Sequence, residues 1–226
     1  MSSLELVIVD VFLDTLFERE LAMDFLTEEQ NNLFAETNSR FGLGPNEYTA
    51  ELTPAELAEL PLTRIMSSTG ETHFPPHIIS IGSVEEMRKI VGFTDEYIPP
   101  KEGSQPDYPV SPMQEEIDEI LITIGHQKKP QISEDLMELI KTATMAYVTG
   151  DPSLVKAFVP LINATQFPGR AAVFTGEKLE IPKGATHIIT GDDPVVLNYG
   201  HIIVAQGATM KVKTGVFINS QMFTQE

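Results

Sequence analysis

The chain has 226 residues, 42% of them hydrophobic and 21% charged, which is enough apolar material to bury a core and argues against global disorder. A formal charge of −18 repels phosphate and so disfavours nucleic acid and anionic membrane surfaces as partners. With no cysteine there is no disulfide framework, thiol nucleophile or thiolate zinc site, and no apolar run approaches the ~20 residues that span a bilayer.

Leu4–Phe17 is apolar, but Glu5, Asp10 and Asp14 interrupt it and no basic residue precedes it, so it does not read as a signal peptide. A cytoplasmic protein is expected, although leaderless export satisfies the same facts. The stretch from Leu4 to Val11 fits a strand or a buried helix equally. Beyond it, Phe12, Leu13, Leu16, Phe17, Leu21 and Phe25 recur at helical spacing. Thr27-Glu28-Glu29-Gln30 predicts a capped helix start, and that helix should stop before Gly42.

Thr53-Pro54 predicts a second helix, kept short by Pro61. Residues 65–81 read as turn-rich. Ser83-Val84-Glu85-Glu86 opens another helix that should run to Val91 before Gly92. Pro99–Pro112 holds five prolines and is the best candidate for a linker or an extended arm. Three helices are then expected. The first follows Ser111-Pro112 with Ile117, Ile120, Leu121 and Ile124 on one face. The second spans Ser133–Val148, and the third is capped by Asp151-Pro152 and limited or kinked by Pro160.

After Phe167-Pro168-Gly169 the periodicity becomes strand-like. Seven short runs are expected: Ala171–Thr175, Leu179–Ile181, His187–Thr190, Val195–Tyr199, His201–Val204, Thr209–Lys213 and Val216–Asn219. Within them, Leu179–Ile189 lies over Ile202–Val212 at an offset of 23 residues, sharing Gly-Ala-Thr at 184–186 and 207–209. A period in the low twenties with a turn glycine in each copy predicts a β-solenoid rung. The fold class expected is therefore α+β. An acidic, mainly helical region (1–168) precedes a small all-β module (169–226), a short solenoid or, alternatively, a small antiparallel sandwich or roll. Gly184 and Gly207 should share one backbone geometry.

The polar clusters read more simply as structure than as sites. Glu71, His73 and His77 lie close together, but Pro75-Pro76 prevents the helical His spacing of zinc sites, and ordinary loop histidines are expected. His187 and His201 read as outward positions on strands. Asp192-Asp193 offers two carboxylates at a turn, which fits calcium or acid–base chemistry in principle but a common Asp-Pro turn in practice. No glycine-rich phosphate loop and no nucleophile elbow is present, so no catalytic, cofactor or metal residue is assigned and no cofactor is expected.

Residues 170–226 carry five basic and five acidic side chains, so the whole −18 belongs to 1–169. A neutral β module ending in a strand with only Thr224-Gln225-Glu226 after it predicts a non-catalytic assembly protein. Its partner would be a second copy or another protein subunit, met through Val216, Phe217, Ile218, Met222 and Phe223. The alternative is a carbohydrate-binding or carbohydrate-active protein using Phe174, Tyr199 and Phe217 on the outer face of the module.

Overall fold

A computed structural model describes residues 7–11, 26–45, 47–50, 52–92, 106–110, 114–126 and 132–225. The chain is α+β. In order its elements are β1 (Val7–Val11), α1 (Glu28–Arg40), α2 (Pro54–Glu59), β2 (Thr63–Ser67), β3 (His77–Ile81) and α3 (Val84–Ile90). There follow α4 (Gln114–His126), α5 (Glu134–Thr149), a 3₁₀ helix (Pro152–Phe158) and α6 (Val159–Gln166). The last five strands are β4 (Gly169–Ile181), β5 (Thr186–Thr190), β6 (Val195–Val204), β7 (Thr209–Val212) and β8 (Val216–Gln225).

The helices begin where side chains can satisfy their first free N–H groups. Thr27 and Gln30 exchange bonds across the first turn of α1, with Gln30 N donating to Thr27 Oγ1 at 3.2 Å and Thr27 N to Gln30 Oε1 at 2.8 Å. Thr53 and Glu56 do the same for α2, with Pro54 in its first turn. Ser83 caps α3, but Glu86 reaches past it to Gly82 N at 2.6 Å, so the box there is only half made. The 3₁₀ helix capped by Asp151 ends at Phe158, just before Pro160, and α6 then starts with Pro160 in its first turn, where a missing N–H costs nothing.

The chain divides into two compact units that do not follow the composition break near residue 168. The first takes Met1–Ile79 together with Arg170–Glu226, and the second is Ser80–Gly169. The proline-rich stretch lies inside the second unit's span. Of it, 106–110 are described, and Tyr108 accepts a bond from Asp151 N at 2.8 Å through its hydroxyl. This segment therefore packs within its unit, while 99–105 and 111–112 lie outside the described residues, as does the helix expected over 12–25.

In the first unit two sheets are formed, ordered β1-β8-β6-β4-β3 and β2-β5-β7. Residues 65–81, read as turns, supply most of β2 and all of β3, because their partners β5 and β4 lie far along the chain. Ala172 lies opposite Val195 and Ile181 opposite Val204, both parallel and 23 residues apart. Thr186 lies opposite Thr209 at the same offset, and Val195 opposite Val216 at 21. Parallel pairing is what the repeat requires, whereas an antiparallel sandwich is built from hairpins. Two pairs of expected runs are fused into β4 and β6, since Gly176 and Gly200 read as breaks but the chain continues through them.

Met66, Phe174, Ile189, Leu197, Ile202 and Val212 meet in the core of this unit. Gly184 and Gly207 have φ of 75° and 76°, and Ala185 N and Ala208 N each donate to the carbonyl three residues back at 2.9 Å. A Cβ at either glycine would meet nothing within 4 Å, so the only penalty of alanine there is conformational. Gly184→Ala and Gly207→Ala should each cost about 1 kcal/mol in chemical denaturation, and by similar amounts. A cost at one position alone would break the equivalence of the two turns.

Candidate interaction surface

The two outer edges of the three-stranded sheet are treated differently by the chain. Thr186 N donates to Leu62 O at 2.7 Å, so residues 62, 64 and 66 face β5, and Thr63, Ile65 and Ser67 turn their polar groups outward. The outward groups of Ile65 and the outward N–H of Ser67 are occupied. Ile65 N donates to His73 Nδ1 at 2.8 Å, His73 N returns a bond to Ile65 O at 2.8 Å, and Ser67 N donates to Thr72 Oγ1 at 3.3 Å. Thr72 and His73 therefore close the β2 edge.

The β7 edge is open among the described residues. Thr209 N and Lys213 N donate to Ala185 O and Ile189 O at 2.9 and 2.8 Å, so by the two-residue period Met210 and Val212 face away from β5. Thr209 and Lys211 are exposed and Met210 is half-buried.

On the five-stranded sheet one core column comes to the surface. Leu179, Ile202 and Phe223 stand in register on successive strands, with exposures of 3%, 0% and 42%. The column thus begins inside and ends in solvent. Of the residues expected to self-associate, Val216, Phe217 and Ile218 are buried, Met222 is half-buried and only Phe223 is well exposed. The reason is β1, which pairs with β8 from Val216 to Ser220, so the terminal strand is an inner strand there and not an edge.

Beneath the surface, a polar ladder fixes the register. Thr175, Asn198 and Asn219 lie side by side on β4, β6 and β8. Asn198 Nδ2 and Thr175 Oγ1 both donate to Asn38 Oδ1 of α1, at 2.7 and 2.8 Å, and Asn219 Nδ2 donates to Asn198 Oδ1 at 3.0 Å. A shift of one residue would bury these amides against apolar chains, which is costly. The repeat pairs Leu197-Asn198 with Ile218-Asn219, but nothing local in the sequence shows Asn38 joining them.

His73, His77, His187 and the paired aspartates each make local contacts. His77 Nε2 lies 3.2 Å from Phe41 O, and His73 closes the β2 edge. Among the described residues no three His, Asp or Glu gather as metal ligands. His187 and His201 do not point outward, being 0% and 9% exposed. His187 shares its strand face with Ile189 and packs on Phe74 at 5.6 Å between ring centroids. Asp193 pairs with Arg170 at 2.9 Å. Its backbone N donates to Ser68 Oγ at 3.0 Å, and a Cβ on Gly191 (φ 126°) would overlap the Ser68 side chain.

The aromatic residues offered for sugar stacking are also inside: Phe174, Tyr199 and Phe217 are all buried. The neutral stretch 170–226 shares its unit with an acidic one. The first unit holds eight basic and nineteen acidic residues, a net of −11, and the second seven and fourteen, a net of −7. Charge on the β strands is balanced locally instead, by Arg170–Asp193 and by Lys178–Glu180 at 3.3 Å. Among the described residues no helix is long and apolar enough to cross a membrane. Comparison with known proteins finds no matching family model, no matching curated protein and no matching solved structure.

Proposed function

We propose that the protein is a non-catalytic assembly protein whose parallel-paired strands, β4-β6-β8 and β2-β5-β7, form a short β-solenoid with one docking end. The observation that carries this reading is the column Leu179–Ile202–Phe223, buried at its start and 42% exposed at its last member, together with the open β7 edge. In a stacked array each rung buries its apolar face against the next, so a rung whose edge strand has no further neighbour among the described residues can be completed by a partner. The parallel registers and the matched glycine turns support the solenoid description.

Phe223, not the whole terminal strand, is the side chain to change. Removing 215–226 would strip an inner strand from the sheet and test folding rather than association. Size-exclusion chromatography with light scattering should give a mass above the 25.0 kDa monomer for the intact chain at tens of micromolar. Phe223→Asp should shift it toward the monomer with an unchanged circular dichroism spectrum. A strictly monomeric intact chain would end the assembly reading.

A further inference from the structure

We infer that the partner is a second copy of this chain, joined β7 to β7 about a two-fold axis, and that the assembly stops at two; this rests on the assembly reading above. Through the three-stranded sheet, a filament of head-to-tail copies would need β7 of one copy to pair with β2 of the next. That edge is already spent, because Ile65 and Ser67 give their outward N–H groups to His73 and Thr72, and Ile65 O takes bonds from both residues. With one edge of this sheet closed and the other open, the pairing left to two copies is the isologous one.

The side chains of β7 select the register. Met210 turns its N–H and C=O outward, so two copies placed antiparallel with Met210 opposite Met210 exchange a close pair of hydrogen bonds. This setting puts each Thr209 opposite Lys211 of the second copy. Centring the pair on Lys211 would oppose the two Lys211 side chains, and centring it on Val212 would oppose Lys211 to Lys213. Like charges directly across a ladder repel. The lysines thus discourage indiscriminate edge pairing, as edge lysines do, while leaving the Met210-centred register free of like-charge pairs.

The test is light scattering of the full chain across a wide range of concentrations. The expected result is a plateau at twice the 25.0 kDa chain mass. Met210→Pro, which removes an outward N–H and leaves the bonds to β5, should halve that mass. Thr209→Lys changes only an exposed side chain and should do the same where the proline disturbs the fold. The double variant Thr72→Ala, His73→Pro, which removes the two side-chain partners and the backbone N–H bonded to Ile65 O, should reopen the β2 edge and let the mass rise past two chains with concentration. Growth of the unaltered chain beyond two copies overturns this inference and leaves the assembly reading standing. A dimer undisturbed by both β7 variants, or a double variant that stays at two, overturns it as well. A monomeric unaltered chain removes both readings together.

Discussion

Arg88→Ala should destabilise the second unit by about 3–5 kcal/mol, a loss on the scale of a broken buried ionic network. Arg88 is 1% exposed on α3, and its Nη1 donates to the carbonyls of Tyr147, Val148 and Gly150 at 2.7, 3.0 and 2.9 Å. Those carbonyls belong to the last turn and cap of α5, where no further backbone N–H follows to take them. A cation at the negative end of a helix adds to the hydrogen bonds. Alanine leaves the carbonyls without this donor and opens a cavity as well. Arg88→Lys keeps the charge but not the planar fork, and should recover only part of the loss. Urea unfolding followed by the helical signal measures both, and a cost below about 1 kcal/mol for alanine would show that the guanidinium is not what holds the end of α5.

The parts of this fold visible in the sequence are those whose physics is local. Thr27 with Gln30 and Thr53 with Pro54 and Glu56 are caps made within one turn, so their residues lie within four positions of each other. The 23-residue repeat is visible because successive strands in each sheet meet the same neighbours. What was hidden depends on distant chain. β2 is only five residues long and carries Arg64 at its second position, so it has no clear alternation to announce it, and it becomes a strand by pairing with Thr186–Thr190. β8 reads as an uncovered end because β1, from the other terminus, is what covers it. The role of His73 was equally unreadable, since an edge can be capped only once it is known to be an edge. His187 is the exception. It lies two residues before Ile189, and the alternation of a strand already places the two on one face.

His187 should make the protein lose stability as pH falls from about 6.5 toward about 4. Burial, the nearby Arg64 guanidinium and His73, in that order, push its pKa down to about 4 from the usual 6.5. Both ring nitrogens are buried without a hydrogen-bond partner among the described residues, so no contact offsets the cost of charging the ring. Across that interval the unfolded chain binds a proton that the folded chain refuses. Stability therefore rises with pH through the window, is fully present above it and is lost below it. A shift of this size corresponds to about 3 kcal/mol. Arg64, itself buried and directly across the ladder from His187, adds repulsion to any imidazolium formed there. Carboxylates titrate in the same range, so the comparison to make is between the intact chain and His187→Leu, each unfolded in urea at pH 7.5 and at pH 4.5. The intact chain should lose about 2–3 kcal/mol more than the variant on acidification. Equal losses in the two proteins would mean that the ring takes up its proton in the folded state as readily as in water, and that the interior between β2 and β5 is wetter than the packing around Phe74 and Ile189 implies.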